Sequence, residues 1–312
     1  MARFNYGGQA LIEGVLMRGR NAIAVAFRHP DGHIVWASEP LNTGPHGWRF
    51  AGAPFVRGLV VLYETLVVGT KWLIRSANVQ VGEDEELGKG AIALMLGFTL
   101  LIGLGVFFLL PLVIATFTTA DVEEDLAQHL VEGLVRVALF LGYLALISRA
   151  PDIARVFQYH GAEHMTIHAL EAGNPLTTAN VRRYPTAHPR CGTEFLVVLI
   201  ALSIVAFSLV GKQEPLVMVA SRIILVPILA AVGYEILRWG AKHRANPIVK
   251  AIMWPGILVQ MITTKQPSDD QIEVAIVSMQ QALEADGESV PEGSDTPERA
   301  PLDPVEPAAA TA

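Results

Sequence analysis

"GAIALMLGFTLLIGLGVFFLLPLVIATFT", residues 90 to 118, decides the fold class. No charge follows Lys89 within it, and it is longer than the roughly 20 residues a helix needs to cross a hydrocarbon core. A helix apolar on every side has no face for water, so the stretch reads as a membrane span. "LVRVALFLGYLALIS" from Leu134, "FLVVLIALSIVAFSLVG" from Phe195 and "PLVMVASRIILVPILAAVGYEIL" from Pro215 are each about one span long. The whole chain agrees: of 312 residues 52% are hydrophobic and only 17% charged, and mean hydropathy is +0.40. The expected fold is mainly α, a polytopic membrane protein of about four transmembrane helices with a small β-hairpin region ahead of them.

Lysines and arginines set the expected orientation. "TADVEEDLAQH" between the first two spans holds four acids and no base, whereas Arg149, Arg155, Arg182, Arg183 and Arg190 follow the second span. The basic connection is expected in the cytoplasm. Arg238, Lys242, Arg244 and Lys250 after the fourth span, and Arg3, Arg18, Arg20, Arg28 and Arg49 near the start, place both termini there too. The short "KQEP" turn makes spans three and four an antiparallel hairpin. No basic n-region and apolar h-region open the chain, so insertion is expected to use the first span. Net charge is −7, but from Lys265 onward eleven acids face two bases, so the acidity belongs to the tail.

Outside the spans, "NAIAVAFRHPDGHIVWASEP" alternates Ile23, Val25 and Phe27 with alanines, turns at Pro30, Asp31 and Gly32, and resumes at Ile34. That is a β-hairpin pattern. "FVRGLVVLYETLVVGTKWLIRSA" repeats Arg57, Glu64 and Lys71 every seven residues, one charged seam on an apolar helix. It reads as interfacial, with a fifth span over 54–75 as the alternative. In "PSDDQIEVAIVSMQQALEA", Ser268 and Gln271 have capping-box spacing and Ile272, Ala275, Ile276, Met279 and Leu283 form a stripe. An amphipathic helix is expected there, lying on a partner or on the protein's own cytoplasmic face. The chain thus divides into a β-rich region (1–50), an interfacial helix (51–78), spans at 90–118, 130–149, 193–211 and 215–238, a His/Cys connection (150–192), cytoplasmic or interfacial helices (247–285) and an acidic tail (286–312) too poor in large apolar residues to fold.

The chemistry concentrates in the connection between spans two and three. "YHGAEHMTIH", residues 159–168, places His160, His164 and His168 within roughly 80° of arc on a helix, with Glu163 about 60° to one side. His160-Gly-Ala-Glu163-His164 has the H-x-x-E-H form of a zinc hydrolase motif. Two imidazoles at i and i+4 can bind one Zn²⁺ from one face while the adjacent carboxylate activates water. "AHPRCGTE" brings His188 and the single cysteine, Cys191, at ligand spacing in the same connection. With one cysteine no intrachain disulfide forms, and the thiol is filler, ligand or nucleophile. His168 and Glu171 read as helix-surface residues, and Arg222 and Glu235 as span charges that need partners.

"GGQALIEGVLMRG" (7–19), "FQYHGAEHMTI" (157–167), "HPRCGTEFL" (188–196), and "PG" followed by "QMITTKQPSDDQIEVAI" (260–276) together resemble the YqhQ-like family of bacterial membrane proteins. The likeness runs from about Tyr6 to Leu283. Members of that family are described as a domain of unknown function and as predicted metal-dependent enzymes. The resemblance picks out Tyr159, His160, Glu163, His164, His188, Arg190 and Cys191, and implies a multi-pass protein of the bacterial inner membrane. Gln9, Glu13 and Arg18 in the first motif suit either bracing of the fold or contact with substrate.

Two functional expectations follow. In one, a membrane-anchored zinc hydrolase holds its metal with His160, His164 and one of His188 or Cys191, with Glu163 as general base. In the other, a non-catalytic assembly or regulatory protein closes a Cys-His₃ structural site from His160, His164, His188 and Cys191, with Glu163 orienting a ligand. Transport along span charges has fewer walls to work with. No phosphate loop, dinucleotide fingerprint or aromatic-laced basic stripe is present, so nucleic acid is not an expected partner, and the pattern names no substrate. Membrane lipid is the expected surroundings, and span charges invite a second copy or another membrane protein.

Overall fold

In the computed structural model, which describes residues 6–41, 44–81, 88–119, 125–188, 191–210, 214–243 and 246–302, the alternation near the start becomes a sheet. β1 (Gly7–Leu11), β2 (Gly14–Arg18), β3 (Ala22–Arg28) and β4 (Ile34–Pro40) form an antiparallel meander in chain order. The expected hairpin is β3–β4, turning through Gly32 at φ 100°. A second hairpin, β1–β2, occupies the glycine-framed segment ahead of it, with Glu13 at φ 53° in the turn. Few side chains other than asparagine or aspartate adopt that conformation readily. Glu13 is held in it by what its carboxylate reaches, described below.

The helices follow: α1 (Val56–Tyr63), a π turn (Glu64–Val68) and α2 (Gly69–Val81), then α3 (Lys89–Leu104), a π turn (Gly105–Leu109) and α4 (Leu110–Thr118). α5 (Asp125–Ile147), α6 (Pro151–Glu171), α7 (Thr178–Val181), α8 (Gly192–Val210), α9 (Pro215–Lys242), α10 (Pro247–Thr263) and α11 (Asp269–Asp286) complete the α-helical set among the described residues, and β5 (Arg299–Pro301) follows. Gly90–Thr118, Ala127–Ile147, Gly192–Val210 and Ile224–Lys242 are long and apolar enough to cross a membrane. The protein is mainly helical, with a small N-terminal sheet.

Two unlike bodies result. In the bundle, Leu209 and Phe117 are 84% and 80% exposed, while polar groups turn inward. Arg136 on α5 pairs with Glu132 at 2.6 Å and donates to the Phe107 carbonyl at 2.9 Å. Phe107 lies in the second π turn, where the i→i−4 ladder is interrupted. In the head, the sheet is covered on both faces. Ile23, Val25 and Phe27 pack with Trp72 of α2, and Ala24 and Ala26 meet α6 and α11 on the other side. The alternation of large and small residues in β3 is thus explained by two different neighbours: the alanines let α11 approach until Ser278 Oγ bonds the Ala24 carbonyl at 3.2 Å.

α11 lies on the protein's own fold, one of the two placements its stripe allows, and is covered on more than that stripe. Its capping box forms as the spacing implies, but residues opposite the stripe, including Val274, Val277, Ser278 and Gln281, are buried as well. The helix lies between sheet and α6, and its polar groups are satisfied internally: Gln271 bonds Gln158 at 3.1 Å and Gln280 the Asp295 carbonyl at 2.7 Å. The tail departs from expectation as far as residue 302. β5 adds to β4 in parallel, Ile34 opposite Arg299, and Asp295 accepts from Thr178 N–H at 2.7 Å. Composition shows few apolar residues, yet Val290 and Leu302 pack against the two apolar clusters and hydrogen bonds supply the rest. Residues 303–312, Lys212 and Gln213 of the "KQEP" turn, Arg190 and the side chain of Arg222 lie outside the described residues.

The seam on α1 and α2 ties the bodies together. Arg57 pairs with Glu235 of α9, Glu64 with Arg18 of β2 at 2.7 Å, and Lys71 with Glu39 of β4 at 2.8 Å. Glu235, a span charge in need of a partner, finds it in Arg57.

Candidate metal centre

The centre forms where head and bundle meet. α6 begins at Pro151, which suits the first helical turn, and passes Gly161 where any Cβ would strike the Lys265 carbonyl. That close approach lets Lys265 N–H bond the Phe157 carbonyl at 2.9 Å, and it brings the end of α10 beside His160. His160 Nδ1 lies 2.8 Å from the Thr263 carbonyl, and His164 Nδ1 2.6 Å from the Thr186 carbonyl. A carbonyl only accepts, so both rings donate from Nδ1 and keep the lone pair on Nε2. Anchoring of this kind is the usual outer support of a metal-ligating histidine.

His160 Nε2 is 3.1 Å from Cys191 Sγ. Potential ligand atoms of His160, His164 and Cys191 all lie within 4.8 Å of one another. Cys191 immediately precedes α8, and Thr193 offers its sulfur two donors, N–H at 3.4 Å and Oγ1 at 3.2 Å. Burial pushes the thiol up to about 11 and holds the His164 imidazole neutral, well below the ordinary histidine range. The pocket suits neutral donors and disfavours a bare thiolate, which a bound cation would stabilise outright.

Glu163 completes the cluster. Burial pushes its carboxyl up to about 8, against the lowering effect of His160. The Gly8 N–H bonds it, and a Cβ on Gly8 would stand 3.0 Å from Oε1. Its Oε2 is buried without a hydrogen-bond partner, 4.0 Å from His160 Nε2. A cavity of about 30 Å³ lies between β1 and α6, lined by Gly8, Glu163, His164, His188 and Cys191 among others. That is room for one small ion or a water or two. Two imidazoles and one sulfur fit a borderline-soft divalent cation, zinc above all, with the Glu163 oxygen standing beside them.

His188, the remaining expected ligand, lines the same cavity but its ring nitrogen groups elsewhere. Gln260 clamps its backbone, accepting from N–H at 2.8 Å and donating to the carbonyl at 3.0 Å. The His188 ring sits 5.7 Å from that of His164 and 4.4 Å from that of His168. Its Nε2 is 3.5 Å from Glu171 Oε2. The two residues read from sequence as surface polar groups, His168 and Glu171, are thus its neighbours. The sequence held one signal for them: His168 and Glu171 repeat the i, i+3 spacing of His160 and Glu163.

The other motif residues brace. Glu13 pairs with Arg155 and accepts from the Tyr159 hydroxyl at 3.1 Å, joining the strained β1–β2 turn to α6. Burial raises the Tyr159 phenol above its ordinary range. Arg18 holds Glu64, and Gln9 packs against Gly69. Gln260, Thr263 and Thr193 entered no sequence-based role, because hydrogen bonds through a carbonyl or an amide leave no spacing to read.

Fold and cluster define a class: a membrane-associated protein whose sheet-and-helix head carries a His/Glu/Cys centre where it meets a bundle of four span-length helices. Residues 53–285 match the family model described as "Protein of unknown function (DUF1385)". The chain is also 34% identical over 292 residues to the "Uncharacterized protein YqhQ" of Bacillus subtilis (strain 168), covering 89% of this chain and 92% of that one. It belongs to the DUF1385 family, and the likeness read from its four motifs is borne out. No solved structure matches it.

Proposed function

We propose that this protein is a membrane-anchored, zinc-dependent hydrolase whose His160, His164 and Cys191 hold the metal and whose Glu163 is the general base. The observation that carries the reading is the convergence of three donors beside a buried carboxylate oxygen with no partner. Zinc would supply Lewis acidity toward a substrate oxygen and toward water. The chain does the rest. Thr263 and Thr186 carbonyls aim the imidazoles, Gly8 leaves space for and orients the carboxylate, and Glu163, whose buried carboxyl a neighbouring dication would return to the ionised form, takes the proton at Oε2. Three protein ligands leave a coordination position open, as catalytic zinc sites do. The flanking arginines support a head on the cytoplasmic side of the bacterial inner membrane, with both termini inside.

A second reading keeps the metal and drops the chemistry. His188 lines the same cavity, so a small movement of its ring would close a Cys-His₃ structural site. Elemental analysis and complementation separate the two. Purified protein is expected to carry zinc that His160→Ala or His164→Ala loses, while Glu163→Gln keeps both metal and melting temperature yet fails to complement a deletion strain. Full complementation by Glu163→Gln would remove the general-base role, and metal-free wild-type protein from a chelator-free preparation would remove both readings.

A further inference from the structure

The imidazoles do not stop at the first centre. His160, His164, His188 and His168 follow one another at ring-centroid separations of 4.4, 5.7 and 4.4 Å. At the far end, potential ligand atoms of His168, Glu171 and His188 again lie within 4.8 Å of one another. We infer that these three residues form a second cation site, selective for a divalent first-row transition ion. It stands on its own residues and does not depend on the zinc reading of the first.

The site is built, not incidental. His168 Nε2 lies 3.0 Å from the Ala187 carbonyl, so the ring donates there and keeps its lone pair on Nδ1. Tyr184 stacks on the same ring, centroids 6.0 Å apart and planes within 9°, which fixes its rotation. His188 is 2% exposed and clamped at both backbone polar groups by Gln260. One short segment serves both centres: the Thr186 carbonyl orients His164, the Ala187 carbonyl orients His168, and His188 supplies a ring of its own. Glu171 reaches solvent, with its side chain 34% exposed, and gives an ion its route in.

Donor chemistry separates the two. The first centre offers two nitrogens and a sulfur, the second two nitrogens and a carboxylate oxygen. Thiolate selects zinc-like softness, whereas a two-histidine, one-carboxylate set also takes manganese, iron or cobalt and leaves positions open. No residue is shared between the triads, so two neighbouring mononuclear sites are expected and not a bridged pair.

Cobalt(II) titration of the metal-free, full-length protein in detergent tests this. Wild type is expected to take up about two equivalents, one with a near-ultraviolet thiolate-to-cobalt charge-transfer band and one with only weak visible bands. Glu171→Gln at an exposed position and His168→Asn at a part-buried one should each bind about one equivalent with the charge-transfer intensity unchanged, and Cys191→Ser should show the converse. Saturation of wild type at one thiolate-bound ion, or retention of both equivalents in Glu171→Gln and His168→Asn, would overturn the second site. Loss of one bandless equivalent in those variants, with no charge-transfer band in wild type, would leave the second site standing and remove the first.

Discussion

Head and bundle solve opposite solvation problems with one chain. The head points its large apolar groups inward, with Phe27 fully buried, and lets charges reach water. The bundle turns Leu209 and Phe117 outward and buries Glu132 and Arg136 against each other. What the contrast teaches is where the candidate centre can exist. Its parts come from both bodies: His160 and His164 on a head helix, Cys191 at the foot of a span, and the Thr263 carbonyl at the end of an apolar helix. Neither body assembles it alone.

The most forceful way to break the comparison is to make similar deletions on each side. Phe27→Ala should cost about 3–5 kcal/mol in denaturant unfolding of the head, since it opens a cavity beside Trp72. Leu209→Ala, which removes an outward side chain, should stay within about 0.5 kcal/mol. Equal losses at the two positions would mean that the bundle's outer face is buried after all.

A smaller change sharpens the seam between the bodies. Gly161→Ala places a Cβ against the Lys265 carbonyl, a backbone atom that cannot swing aside. A loss of about 1–3 kcal/mol is expected, measured by thermal unfolding, and zinc affinity should fall with it because the Thr263 carbonyl is displaced from His160. Unchanged stability and metal binding would show that the approach of α10 to α6 is not what sets the ring.

Much of this architecture is legible in the sequence, for physical reasons that also mark where legibility ends. Span-length apolar runs are read from length alone, and the β3–β4 hairpin from alternation and a turn glycine. The burial of α11 is not, because its second covered face carries Gln280, Ser278 and Gln281, residues that look solvated until Asp295 and the Ala24 carbonyl are found beside them. The tail misleads in the same way. Within the centre, His160, His164, Glu163 and Cys191 come from spacing and donor type. The pairing of His188 with His168 and Glu171 comes from the course of residues 184–188 across α6, which no local pattern encodes.

The central claim is an open centre made of His160, His164 and Cys191. Zinc K-edge X-ray absorption on protein loaded with one equivalent tests it most directly. One sulfur, two imidazole nitrogens and at least one further light atom not from imidazole is the expected first shell. A shell of one sulfur and three imidazoles would make the site closed and structural, and a shell without sulfur would contradict the centre itself.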